Sequence, residues 1–85
     1  MKTVYKYAIP FNISMKIPLH ADAKPIMAAI QYDAVCVWFE FDMSQPIEIR
    51  TFRIYGTGFT IPDDETHVGS CMTNDGHLVW HVYEK

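Results

Sequence analysis

The sequence predicts an all-β domain: a small antiparallel sandwich or barrel of about six to seven short strands, with at most one helical turn. Three observations carry this. Apolar residues recur with a period of two rather than 3.6. The periodic runs are rich in β-branched and aromatic residues, which suit a pleated, half-buried surface. Pro10, Pro18, Pro25, Pro46 and Pro62 fall between the runs, where no ladder donor is needed.

Each element follows in order. From Val4 to Ile9, Tyr5, Tyr7 and Ile9 alternate with Val4, Lys6 and Ala8. Ile13, Met15 and Ile17 alternate with Ser14 and Lys16. Ile26–Gln31 reads as a strand that Tyr32-Asp33 turns into Ala34–Asp42. Within it, Met27-Ala28-Ala29-Ile30 has helical propensity, and Pro25 suits the first position of a helix, so one helical turn is the alternative there. In the next strand the odd positions from Val35 to Phe41 are Val, Val, Phe and Phe. Its even positions are Cys36, Trp38 and Glu40. Ile47–Tyr55 is a β-branched and aromatic run. Leu78, Trp80 and Val82 alternate with His77, Val79, His81 and Tyr83. Asn74-Asp75-Gly76 is a hairpin signal, because Gly tolerates positive φ and Asn or Asp accepts it; it joins Val68–Met72 to His77–Glu84.

Composition bounds the rest. Eighty-five residues make one domain, 1–85. With 49% hydrophobic residues and a net charge of −3, the chain is too apolar and too weakly charged for intrinsic disorder. The longest apolar run, Ala34 to Phe39, is far short of the roughly 18 residues a membrane helix needs, so no membrane partner is expected. No apolar segment follows Met1-Lys2-Thr3-Val4-Tyr5-Lys6, so the expected compartment is the cytoplasm. Cys36 and Cys71 are then expected as buried free thiols, although they could pair. The seven Lys and Arg residues are dispersed along the chain. Phosphate recognition draws on several clustered cations at once, so direct nucleic-acid binding is not expected. Asp63-Asp64-Glu65 is the single acidic run.

No motif fixes a reaction. Gly56-Thr57-Gly58 lacks the third glycine and the following helix of a dinucleotide fingerprint; Phe59-Thr60-Ile61-Pro62 is extended, so the bland alternative is a strand exit. His77 and His81 would lie ~13 Å apart on a strand, too far to share one ion. One of them could still complete a metal site with His67 or Cys71, but solvent-facing histidines are the plainer interpretation. Both cysteines fall in strands, where a thiol packs rather than reacts. Asp63-Asp64 reads first as a turn in which Asp caps a neighbouring N–H. No catalytic residue, metal or cofactor is expected.

Aromatic residues make up 14% of the chain, and strand parity divides them. Tyr5, Tyr7, Phe39, Phe41, Phe52, Trp80 and Phe59 supply a core. Trp38 falls on the opposite face with Cys36 and Glu40, and Tyr83 falls opposite Trp80 with His77 and His81. Either a second sheet covers that face, or it meets a partner.

Lys6-Tyr7-Ala8-Ile9-Pro10, Cys36-Val37-Trp38, Arg50 to Gly58, Ile61-Pro62-Asp63-Asp64 and Leu78 to Glu84 together resemble a small family found in tailed phages and prophages and described as a domain of unknown function. The stretch Thr66–Thr73 is less typical of it. The resemblance brings no activity and no catalytic residue. It implies a phage-encoded accessory protein working in the bacterial cytoplasm, and small phage proteins of this kind commonly bind and inhibit a host defence component, as anti-CRISPR proteins do. The expected function is therefore inhibition of a host protein, such as a defence nucleoprotein, by surface occlusion. Trp38, Asp63, Asp64, Glu65 and Tyr83 are the expected contact residues, beside the loop Gly56, Thr57 and Gly58. A homodimer is compatible, since open sheet edges often pair with a second copy. The alternatives are a minor virion or assembly component that self-associates, and a binder of a nucleotide signal near Gly56-Thr57-Gly58.

Overall fold

The computed structural model describes residues 1–85 and contains seven strands and no helix. They are β1 (Lys2–Ile9), β2 (Met15–His20), β3 (Lys24–Gln31), β4 (Ala34–Asp42), β5 (Ile47–Gly56), β6 (Thr66–Met72) and β7 (Val79–Glu84). Two antiparallel sheets form, one in the order β1-β4-β3 and the other in the order β2-β5-β7-β6. The sheets do not close on each other, so the fold is a sandwich and not a barrel. The helical alternative at Met27–Ile30 fails because β4 offers this segment a full ladder, Met27 to Trp38 through Gln31 to Ala34.

Parity builds the core. Val35, Val37, Phe39 and Phe41 of β4 are each no more than 2% exposed and face Ile17 and Leu19 of β2, Phe52 and Ile54 of β5, and Val82 of β7. The Phe39 and Phe52 rings meet across the two sheets at 5.3 Å. Each large apolar side chain buried this fully contributes about 1.5–3 kcal/mol. Tyr7 and Trp80 pack partly buried against this cluster. Two aromatics expected in the core lie outside it. Tyr5 is 53% exposed in the middle of the edge strand β1, its ring edge-on to Phe41, and Phe59 is 61% exposed on a loop.

One end of the core is closed by charge. Arg50 and Glu84 share the inward parity of Phe52, yet they stand where the sandwich opens to water. Arg50 donates twice to Glu84, at 2.6 and 2.8 Å, and once to the Ala23 carbonyl at 2.7 Å. The bidentate geometry leaves no buried side-chain polar atom unpaired. Both cysteines are buried and free; burial pushes the Cys71 thiol up, with nearby Cys36 adding to the effect.

The two hairpins differ from their sequence signals in detail. Tyr32 and Asp33 both adopt positive φ, 52° and 63°, in a two-residue turn between Gln31 and Ala34. That is the mirror-image turn whose twist matches the strands, here without a glycine. Asn74-Asp75-Gly76 does join β6 to β7, but inside a longer loop from Thr73 to Leu78, where only Gly76 has positive φ. His77 and Leu78 therefore lie outside the strand, and Leu78 is 53% exposed. The Asp75 carboxylate organises the loop, accepting from the Thr73 hydroxyl at 2.6 Å and the His77 amide at 2.9 Å. These bonds, the Thr73 one first, hold its pKa below the ordinary 3.8.

Candidate functional site

The sandwich leaves two sheet faces on its outside. On the three-stranded sheet, Trp38 is central, flanked in register by Lys6 and Met27. Val4 and Met27 are about half exposed, while Cys36, between Ala8 and Ala29, is buried. Lys2 and Lys24 each reach Glu40 at 3.6 Å, and Lys6 donates to Gln31 at 2.6 Å and lies over the Tyr32 ring. The strand register thus gathers three lysines that the sequence disperses.

The outer face of the four-stranded sheet is organised differently. Two cross-strand rows cover it: Tyr55–His81–Ser70, and Arg53–Tyr83–His67. His67 and Ser70 are three residues apart, so a regular strand would point them to opposite faces. A bulge between His67 and Gly69 shifts the register by one residue and puts both on the same face. The bulged segment sits so close to β3 that a Cβ on Gly69 would lie 2.9 Å from the Ala28 Cβ. Only glycine fits there without displacement.

The bulge creates a hydrogen-bonded chain. Ser70 Oγ lies 2.8 Å from His67 Nε2 and 2.7 Å from His81 Nδ1. His81 Nε2 lies 2.9 Å from Thr57 Oγ1, and the Thr57 hydroxyl is 3.4 Å from the Val79 carbonyl. With the Thr57–Val79 contact included, one proton arrangement satisfies every partner. Thr57 donates to Val79, His81 Nε2–H donates to Thr57, Ser70 donates to His81 Nδ1, and His67 Nε2–H donates to Ser70. The tautomers are assigned from this network. Beside it, the Tyr83 ring packs edge-on against Tyr55 and His67 at 5.7 and 5.3 Å, and Arg53 lies over Tyr55.

The acidic loop joins the same region. Tyr55 Oη donates to Glu65 at 2.7 Å. Burial first, and the Glu65 carboxylate second, push the Tyr55 phenol above its ordinary value, and Asp64 adds to the effect. The Glu65 amide donates to the Pro62 carbonyl at 3.2 Å, a turn that leaves Asp63 and Asp64 exposed at the tip. Gly56 and Gly58 shape the loop. Gly56 leaves room for the Phe59 ring, 3.0 Å from where its Cβ would stand, and Gly58 takes φ +89°. The region is therefore a strand exit with no helix following it. A groove of about 510 Å³ between Arg53, Tyr55, Phe59 and Pro62 runs beside it.

The structure thus brings Thr57, Glu65 and Tyr83 together, sets Asp63 and Asp64 on the adjoining loop, and leaves Trp38 on the opposite side of the sandwich. Arg53, Tyr55 and Ser70, which no local signal marks, and His67, which the sequence offers only as a long-range partner for a histidine metal site, complete the cluster. Parity along β6 gives the wrong answer for His67 unless the bulge is known. His77 stands apart, 3.6 Å from Asp75. Nowhere do three or more His, Cys, Asp or Glu side chains gather as a ready metal centre. No helix is long and apolar enough to cross a membrane.

A family described as "Domain of unknown function (DUF7352)" matches over residues 1–85. No curated protein and no solved structure matches.

Proposed function

The chain belongs to the DUF7352 family of domains of unknown function over its whole length, and from that premise we propose that it is a non-catalytic binding protein that acts by covering a surface of another protein. Its contact surface is the outer face of the β2-β5-β7-β6 sheet together with the Asp63–Glu65 loop. One observation carries this. Arg53, Tyr55, Tyr83 and His67 form an aromatic and guanidinium cluster held by short side-chain contacts before any partner arrives. Tyr and Arg dominate the residues that carry protein–protein affinity. Aromatic rings with few rotors, already fixed by neighbours, lose little entropy on binding. Asp63, Asp64 and Glu65 at the rim favour a partner that presents Lys or Arg, chiefly by steering its approach.

The resemblance to phage-encoded proteins supports a host protein, a defence component above all, as the proposed partner, met in the bacterial cytoplasm. Trp38 has no part in this contact, because it faces the other way.

The test is capture from host lysate on immobilised wild-type protein and on Arg53→Glu, Tyr83→Ala and Trp38→Ala. The expected result is one set of proteins retained by wild type and Trp38→Ala and lost from the other two. Equal retention by all four, or none by wild type, overturns the proposal.

A further inference from the structure

We infer that His67 and His81 form a two-imidazole site for a late divalent transition-metal ion, of the class Zn²⁺, Ni²⁺ or Cu²⁺. The inference is independent of the partner reading above, since it concerns the isolated chain.

Two ring nitrogens on neighbouring strands, His67 Nε2 and His81 Nδ1, converge on one oxygen, Ser70 Oγ, at 2.8 and 2.7 Å. The bulge in β6 is what turns His67 onto this face, and bulges are enriched where a side chain must be re-aimed at a site. A second observation points the same way. In the proton arrangement assigned above, His81 Nε2–H donates to Thr57 Oγ1 at 2.9 Å, and the Thr57 hydroxyl lies 3.4 Å from the Val79 carbonyl. Metal-binding histidines are held in this manner, with one ring N–H anchored so that the other nitrogen offers its lone pair outward. On His67 the ring proton moves from Nε2 to Nδ1, and both lone pairs then face the same point. An ion roughly 2.0–2.1 Å from each nitrogen needs the two rings to swing toward each other, on a face that solvent already reaches. Ser70 Oγ and water complete the shell. Two nitrogen ligands with no carboxylate select the imidazole-preferring metals over Mg²⁺ and Ca²⁺.

The test is calorimetric titration of the folded protein with ZnCl₂, NiCl₂ and CuCl₂ separately, repeated on His67→Gln, His81→Gln, Thr57→Val and His77→Gln. Circular dichroism checks each variant's fold. In parallel, the imidazole NMR signals of wild type are followed during Zn²⁺ addition, a readout that needs no variant. One ion should bind per chain, with Cu²⁺ tightest. Either glutamine variant at 67 or 81 should weaken binding more than about tenfold, and Thr57→Val by about tenfold through the lost anchor. His77→Gln should bind as wild type does, and the His67 and His81 resonances should shift together. Absence of binding to wild type, binding unchanged in both His67→Gln and His81→Gln, or metal-dependent shifts confined to His20 and His77 would overturn it. MgCl₂ binding at the same resonances would overturn the ligand class.

Discussion

Trp38 and Tyr83 occupy comparable places. Each is an aromatic residue on an inner strand, placed by parity on the outside of its sheet. Their surroundings differ. Around Trp38 the polar contacts are between long flexible ends, with Lys2 and Lys24 sharing Glu40 at 3.6 Å and Lys6 donating to Gln31 at 2.6 Å. Exposed pairs of this kind contribute about 0–1 kcal/mol and fix little. Around Tyr83 the contacts are short bonds between short or rigid side chains, 2.7 to 2.9 Å along Tyr55–Glu65 and His67–Ser70–His81–Thr57. Similar placement therefore yields one face that a partner would have to order and one already ordered.

The difference can be broken at its source. Gly69→Val forces β6 away from Ala28 and should cost about 2–3 kcal/mol, as overpacking does. Ala29→Val on the other outer face should stay within about 0.5 kcal/mol. Urea unfolding of the two variants checks this, and equal losses would show that the bulge is not what separates the faces.

The functional side of the comparison is next in size. Tyr83→Ala should weaken the captured partner by about 2 kcal/mol, roughly 30-fold, while Trp38→Ala should change its affinity by less than about 0.5 kcal/mol. Titration of the partner against both variants measures the gap.

A smaller effect sharpens the electrostatics. Glu65→Gln removes one of the two main causes that raise the Tyr55 pKa and leaves the other, burial. Tyrosinate absorbance during an alkaline titration should show Tyr55 ionising earlier than in wild type, yet still above the ordinary 10.0.

The smallest effect compares the ends of the two faces. Asp42, bound by the Ser44 amide and hydroxyl, and Asp75, bound by Thr73 and His77, both have pKa values below the ordinary 3.8. A carboxylate depressed in the folded state contributes stability above its unfolded value, and that contribution is lost as pH falls through the folded value. Thermal melts should therefore show stability falling below pH 3.8. Asp42→Asn and Asp75→Asn should each flatten part of that fall.

Much of the fold was legible because a period of two is a local property. Val35 to Phe41 announces which residues turn inward, and the Tyr32-Asp33 turn fixes the neighbouring register. Glycine placement misled in one respect, since Asn74-Asp75-Gly76 sits within a six-residue loop that removes Leu78 from its strand. The site was legible only in fragments. Thr57, Glu65 and Tyr83 carry separate signals in the sequence, a loop, a charge and a ring, and the fold makes them neighbours. Trp38 carries the same parity signal as Tyr83, yet it lies on the other sheet.

By itself the sequence determined the alternation within most strands and about how many strands form, because each depends on a handful of adjacent residues; it placed Pro18 and Pro25 between strands, whereas they lie inside β2 and β3. Tertiary structure decided which sheet each strand joins, which outer faces result, and that one inserted residue before Gly69 aims His67 at Ser70 and His81. Those outcomes rest on strand pairings between residues far apart in the chain. A one-residue change in such a pairing reverses the face of every side chain beyond it.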